Sequence, residues 1–377
     1  MSRADRRRQR QRQRARGAWL RGLIVAVLLA VVAEVGLRSF WTAPEVEARP
    51  DAQSLVMHPT RMWGLAPGDQ KVGTLRMTID EHGLRDVEPS GAPLRVLTLG
   101  DSTIFGHELT NAQALHGRLE TELRLAALEV DVLCGAVPGY SSEQARQLME
   151  DVGWSLEPDL LVVGTFWSDS SYAHFVDQEW MAVLNGPLAR VGRALEPLSL
   201  WQWARTVVPS RQLGSGQAVN EVAWIKEPLP HQGRRVPLQR YAENLDALLA
   251  GAKERGIGAV LLRPVNRERF EGLERNAAIY AEAQDRVARH HGVPVLDPVA
   301  AMQASGLSSD EAYLDKVHPT PVGMRSFGQG VARQLLAAGW PADPLVSSAT
   351  MPFDEELSDP GEQLDPLIEG ISAPAAP

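Results

Sequence analysis

The stretch Leu94-Arg95-Val96-Leu97-Thr98-Leu99-Gly100-Asp101-Ser102 decides how this chain is read. Leu94–Leu99 is a short apolar run, the mark of a buried strand. It stops at Gly-Asp-Ser, which leaves a serine at the strand's mouth. A serine hydroxyl is a poor nucleophile at neutral pH. It needs a base to take its proton, and the base works best when a third group fixes its tautomer. Asp315-Lys316-Val317-His318, more than two hundred residues downstream, offers both. Either segment alone is an ordinary turn or loop. Together they supply a nucleophile, Ser102, a base, His318, and an orienter, Asp315.

Working outward, four more apolar runs have strand length: Val130–Leu133, Leu160–Val163, Ile257–Leu262 and Val293–Leu296. Helical patterns lie between them. Asn111 is placed to cap a helix carrying Leu115, Leu119 and Leu123 at four-residue spacing. Ser141 or Ser142, followed by Glu143, opens a second that runs through Met149. Pro237 suits the first turn of a third, with Leu238, Tyr241, Leu245, Leu248 and Leu249 on one face and Gly256 at its end. A fourth falls around 273–290, and a last one runs from about Pro321 to Ala338. Strands alternating with helices predict a parallel sheet covered on both faces. Ligands of such sheets bind at the carboxyl ends of the strands. Ser102 and the Asp315/His318 loop both fall at that edge.

Composition excludes some functions. With 44% apolar and 23% charged residues, the 377-residue chain can bury a substantial core. Residues 1–21 hold nine arginines against one acid, Asp5; that +8 leaves −17 for the rest of a −9 chain. Such a body is no nucleic-acid surface, which needs clustered positive charge. Leu23–Ala33 is continuously apolar, and the stretch Trp19 to Leu37 approaches the ~20 residues that cross a bilayer, with Arg21 able to snorkel. Arginines before the span and acids after it put the N-terminus in the cytoplasm and the body outside. A cleaved signal peptide ending near Val31-Val32-Ala33 is the competing reading. Glu34 is the awkward residue of the span. It fits either a carboxylate snorkelling outward beside Arg38 or an intramembrane contact.

The layout expected is a basic cytoplasmic arm (1–18), a transmembrane anchor (19–38), an irregular approach segment (39–93), a catalytic domain (94–340) and an acidic, disordered tail (341–377). The domain carries an insert at about 170–236 holding Trp180, Trp201, Trp203 and Trp224, with Trp167 at its threshold. It suits a small helical subdomain with a tryptophan core, or a lid over the site. The single cysteine, Cys134, excludes an internal disulfide and has the setting of a buried small hydrophobe. No cluster at metal-ligand spacing and no phosphate-binding glycine loop stands out, so neither metal nor cofactor is implied. His107, His174, His231 and the His290-His291 pair are weaker candidates for the base; the pair at a helix end suits a solvated charge.

Gly-Asp-Ser after the first strand, the glycine run Cys134-Gly135-Ala136-Val137-Pro138-Gly139-Tyr140-Ser141 after the second, a polar loop after the third and Asp-x-x-His before the last helix resemble the SGNH (GDSL-type) hydrolases. The Gly-x-Ser-x-Gly elbow of other hydrolases is absent. Gly83-Leu84-Arg85 resembles membrane-anchored bacterial members. The resemblance covers about 94–338. It implies a three-layer α/β/α fold with a five-stranded, parallel, flavodoxin-like sheet, here behind one N-terminal transmembrane helix. It also implies Ser102 as nucleophile with His318 and Asp315, and an oxyanion hole from the amides of Ser102 and Gly139. The third oxyanion donor of such enzymes is an asparagine; here Ser168 stands in its place within Phe166-Trp167-Ser168-Asp169, with Thr165 as a substitute. A serine hydroxyl can donate one bond but is shorter than an asparagine amide.

Three functions follow as expectations. The first is an esterase removing acyl groups from a glycan or lipid outside the cytoplasmic membrane. The second passes the same acyl group to a sugar hydroxyl. The third is a weakened fold kept as an envelope binding module. The partners implied are an ester substrate and the membrane, with no nucleic acid; oligomeric state is open.

Overall fold

A computed structural model describes residues 3–42, 55–72, 75–85, 90–173, 176–207, 233–273 and 275–357 of the chain. They divide into two compact units, one of residues 1–50 with 185–218 and the other of 51–184 with 219–377.

The second unit is built on the five runs expected to be strands: β5 (Leu94–Gly100), β6 (Val130–Cys134), β7 (Leu160–Gly164), β10 (Gly258–Leu262) and β11 (Val295–Leu296). They pair in parallel in the order β11-β10-β7-β5-β6, the flavodoxin-like arrangement. The chain starts one strand in from the β6 edge and grows outward both ways. Leu97, Leu99, Val132, Val162 and Val260 are wholly buried, as strands covered on both faces must be. Each such side chain contributes about 1.5–3 kcal/mol.

Between β5 and β7 lie α2 (Ser102–Phe105), α3 (Leu115–Leu125) and α4 (Ser142–Asp151). After β7 come α5 (Trp167–Ser170), the two-residue strands β8 (Tyr172–Ala173) and β9 (Gly233–Arg234), which pair, and α6 (Asp177–Asn185). The first unit contributes α1 (Arg3–Phe40), α7 (Pro187–Leu195) and α8 (Ser199–Val207). The second resumes with α9 (Leu238–Glu254), α10 (Arg267–Phe270), α11 (Arg275–His291), α12 (Pro298–Ala304), α13 (Ser309–Ala312) and α14 (Pro321–Ala337). Helix α14 packs on α3 and α12, while α9 packs on α4 and α11, so helices form a layer on each side of the sheet.

Four expectations need correcting. Asn111 does not cap α3, whose N-cap is Ala114; its Oδ1 accepts from Arg85 Nε at 2.8 Å, and residues before α3 stay in turns. The approach segment is not irregular. It forms two hairpins, β1 (Leu55–His58) with β2 (Met62–Leu65) and β3 (Gly68–Val72) with β4 (Leu75–Ile79). Within β4 Met77 and Ile79 point inward and Arg76 and Thr78 outward, an alternation present in the sequence. Residues 341–357 are no disordered tail but an extended strap. Leu345 is buried and its carbonyl accepts from Ala259 N–H at 3.1 Å, while Phe353 and Leu357 pack on the core. Helical periodicity cannot reveal a strap held by isolated backbone bonds. The rest of the tail lies outside the described residues.

The fourth correction concerns His290 and His291, which are not a solvated pair. His291 is buried, with Nε2 2.8 Å from Asp246 Oδ1 and Nδ1 2.7 Å from Ser347 Oγ; His290 Nε2 donates to the Met351 carbonyl at 2.7 Å. Asp246, His290 and His291 bring three possible ligand atoms within 4.8 Å of one another. Those atoms already fasten the strap, which also receives Asp246 through the Phe353 N–H at 3.1 Å.

Arg85 joins the hairpins to the sheet. It makes antiparallel bridges to Ile79 and to Cys134 at the end of β6. Its guanidinium is buried over the Phe105 ring and donates to the carbonyls of Phe105 (2.6 Å), Gly106 (3.1 Å) and Leu109. The first two are carbonyls that the end of a four-residue helix leaves without intrahelical partners. Replacing Arg85 by Met is expected to strand several of them at about 1–3 kcal/mol each, so urea unfolding should show a loss of at least ~3 kcal/mol.

Candidate active site

Ser102, Gly139, Ser168, Asp315 and His318 lie in the second unit, at the carboxyl edge of the sheet. Ser102 opens α2 one residue beyond the turn that ends β5. Gly100 makes the turn possible: a Cβ there would lie 2.5 Å from Ile104 Cγ1 and 2.8 Å from the Gly164 carbonyl of β7. Asp101 caps α2, its Oδ1 accepting from Thr103 N–H at 2.9 Å. It is buried, which pushes its carboxyl up, against the amides of Thr103 and Ser168 that pull it down. Asp101 thus ties the serine turn to the loop after β7, in keeping with a loop-ordering role rather than a place in a proton relay.

The Asp315–His318 turn builds itself locally. Asp315 Oδ1 accepts the N–H groups of both Val317 and His318 at 2.8 Å, a self-made turn of the kind aspartate favours. The other oxygen, Oδ2, lies 2.7 Å from His318 Nδ1. Partial burial pushes the Asp315 carboxyl up, but the two amides and the imidazole outweigh it and hold it below its ordinary value. His318 Nε2 is 2.8 Å from Ser102 Oγ. Proton positions follow from the partners. A carboxylate only accepts, so Nδ1 carries the hydrogen, and Nε2 accepts from the serine hydroxyl. The structure therefore brings Ser102, His318 and Asp315 into one hydrogen-bonded line.

His107 is not in that line. Its ring stacks at 4.6 Å from that of His318, tilted by 35°. Burial and the neighbouring imidazole both lower its pKa, which suits a neutral wall beside the base. His174 and His231 lie outside the described residues.

The glycine loop after β6 is held from behind. Gly139 has φ +79°, and a Cβ on it would meet the Trp63 ring at 3.2 Å. Trp63 Nε1 donates to the Pro138 carbonyl at 3.0 Å, and Arg235 Nη1 to the Gly139 carbonyl at 2.8 Å. A planar trans peptide points its N–H opposite its C=O. Holding the Pro138 carbonyl on the Trp63 side therefore turns the Gly139 N–H away from that side. Neither the Gly139 nor the Ser102 N–H takes part in a hydrogen bond among the described residues. Arg235 is itself buried in an ion pair with Asp177 (2.7 Å) that also takes in Gln144 Oε1 (3.0 Å), and Ser141 Oγ donates to Asp177 Oδ2 at 2.6 Å. Trp63 and Arg235 were not among the residues named from sequence; they come from a hairpin and an insert edge, distant in the chain from Gly139.

Thr165, just after β7, and Ser168, in α5, are both buried, and the Thr165 hydroxyl has no hydrogen-bond partner among the described residues. Next to Ser168, Asp169 is enclosed. Burial raises its pKa to about 7, opposed by Ser142, whose N–H (2.8 Å) and hydroxyl (2.6 Å) both donate to Oδ1. Among the described residues its Oδ2 has no partner, and neither has Oδ1 of Asn244, which donates to the same Ser142 hydroxyl at 3.0 Å.

Residues 231–325 match the GDSL-like Lipase/Acylhydrolase family. The matched window contains Asp315, His318 and the start of α14. The match indicates an ester-hydrolysing enzyme. It is similar to the lipase/acylhydrolase from Enterococcus faecalis, with 15% identity and a TM-score of 0.42 over 65% of this chain and 96% of that one. It is likewise similar to the acetylxylan esterase from Geobacillus stearothermophilus, at 16% identity and a TM-score of 0.42 over 66% and 95%. A third likeness is to the psychrotrophic esterase EstA from a Pseudoalteromonas species, at 10% identity and a TM-score of 0.40 over 65% and 97%. No curated relative matches the chain.

The Asp169 carboxyl in this GDSL-like fold generates a test. Folded, it keeps its proton up to about pH 7, whereas the unfolded chain releases it near 4. Stability from this group is therefore full below the unfolded value and declines as pH rises through 7. Asp169→Asn keeps an acceptor for Ser142 and adds a donor. It is expected to raise stability at pH 8 by about 1–2 kcal/mol with no gain near pH 4, read from urea unfolding at both pH values.

Proposed function

We propose that this protein is a serine esterase that hydrolyses O-acyl esters through an acyl-enzyme on Ser102, on the outer side of the cytoplasmic membrane. The continuous line from Ser102 Oγ through His318 to Asp315 carries the reading. As Ser102 Oγ attacks the ester carbonyl, its proton passes to His318 Nε2, and Asp315 stabilises the imidazolium that forms. The oxyanion takes hydrogen bonds from the N–H groups of Ser102 and Gly139 and from the Ser168 hydroxyl, each worth about 3–4 kcal/mol in the transition state. Collapse expels the alcohol, which leaves with the His318 proton. Water then attacks the acyl-enzyme, giving up a proton to the same nitrogen, and the acid departs with Ser102 restored.

The second unit from about residue 94 to 340 forms the catalytic domain, and the segment 19–38 the anchor. One helical stretch, Gly17–Phe40, is long and apolar enough to cross a membrane. Eight arginines ahead of it, and Arg21 in its first turns, favour a cytoplasmic N-terminus. The substrate class that fits an anchored esterase there is an acylated envelope glycan or lipid. Serine in the place of an asparagine donor favours one further reading, a weakened fold that binds such a glycan without turning it over.

A serine-directed fluorophosphonate separates the two. Wild-type protein is expected to be labelled, and Ser102→Ala not; equal labelling of both sinks the esterase reading and leaves the binding module. In a second measurement, Ser168→Asn is expected to keep or raise the rate of short-chain ester hydrolysis. A collapse of turnover with the fold intact would show that Ser168 is not an oxyanion donor of the expected kind.

A further inference from the structure

The first unit contains α1 and the α7–α8 hairpin, and Glu34 joins them. Its Oε1 accepts the Ser199 N–H at 3.0 Å and its Oε2 the Leu200 N–H at 2.8 Å, the orphan amides at the start of α8. Arg38 Nε donates to Oε1 at 2.6 Å, and Arg38 Nη2 to the Pro197 carbonyl at 3.3 Å. The carboxylate that sat awkwardly in the apolar span is thereby a latch between the end of α1 and the hairpin. Arg38 closes the span four residues on. At 1.5 Å per residue, the latch lies about 6 Å inside that end.

Helix α7 is sharply two-faced. Leu188, Val191 and Leu195 fall within about 60° of one another around the axis, and Arg190 and Arg193 lie on the opposite side. Among the described residues the apolar side is mostly uncovered: Leu188 is 88% exposed and Val191 57%, Leu195 is half-buried, and Leu198 beyond them is exposed as well. Gly192 faces the other helix, where a Cβ would meet Trp201 at 3.6 Å. The hairpin thus packs on itself through one side and presents an apolar stripe on another. Interfacial helices have this pattern, and their apolar faces sink about 5–10 Å into the headgroup–acyl boundary. That range contains the ~6 Å at which Glu34 holds α8. None of the apolar window of α1 is buried inside the protein.

We propose that the α7–α8 hairpin is a membrane-surface element, its stripe of Leu188, Val191, Leu195 and Leu198 lying in the lipid boundary of the bilayer that α1 crosses. Arg190 and Arg193 then face away from the acyl chains towards the aqueous side of the headgroups, where their charge favours anionic lipid. The hairpin belongs to the tryptophan-rich insert, for which a lid over the site and a tryptophan core were the alternatives from sequence. The inference rests on reading α1 as the membrane anchor.

The full-length chain with Cys134→Ala and one added cysteine tests it. The variants Leu28→Cys, Leu188→Cys and Arg190→Cys, each carrying the fluorophore NBD, are reconstituted in phosphatidylcholine–phosphatidylglycerol vesicles with lipids spin-labelled near the headgroup or deep in the chain. The Leu28 probe is expected to be quenched by the deep label. The Leu188 probe should be blue-shifted and lose at least about half its emission to the shallow label, with Arg190 largely unaffected. A quenched Leu28 beside a solvent-like Leu188 overturns the hairpin proposal and leaves the anchor standing. A blue-shifted but unquenched Leu188 overturns it too, because protein then covers the stripe. An unquenched Leu28 removes the anchor and the proposal with it.

Discussion

The catalytic unit depends on a missing side chain. Gly100 lets β5 end against the Gly164 carbonyl of its neighbour with Ile104 folded over it, and no Cβ fits between. That close approach turns the chain from strand to helix within one residue and fixes where Ser102 begins. The base must then arrive from elsewhere, because the turn holds only Asp101, which is occupied in capping. It comes from a loop whose shape is set by its own aspartate, before the long helix α14. Two locally determined turns are thus brought together by a sheet, and the sheet supplies position rather than chemistry.

Support for those turns comes from unexpected quarters. The nucleophile helix is closed by Arg85, and the glycine loop is held by Trp63 and Arg235. Two of the three precede the sheet in the chain and the third lies near the end of an insert. Burying two arginines is costly unless every donor is used. Arg85 meets that condition with carbonyls, which remain acceptors at any pH. Arg235 meets it with Asp177, Gln144 and a carbonyl. The site is consequently stiffened by groups outside the minimal hydrolase pattern.

Much of this was legible in the residues. Apolar runs of strand length, alternating with helical patterns, place the sheet because buried strands and amphipathic helices leave strong periodic marks. Gly-Asp-Ser and Asp-x-x-His declare the site because each is a short turn whose chemistry is local. The hairpins before residue 80 were harder to see, although Leu75-Arg76-Met77-Thr78-Ile79 alternates clearly; the neighbouring prolines and charges obscured it. Trp63, Arg235 and the strap left no local mark at all, since their roles lie in contacts with partners distant in the chain. The His290-His291 pair misled for the same reason: a helix terminus reads as exposed until the strap that covers it is in place.

The distance between nucleophile and base along the chain has a consequence for biosynthesis. Ser102 and His318 are 216 positions apart, and the sheet lays down its first strand in its interior. A nascent polypeptide emerging from the ribosome carries its serine early but lacks the imidazole until nearly all of it has been made. Even then the closing strap must still dock on β10. The hydrogen-bonded line from Ser102 to Asp315 is therefore assembled late in synthesis.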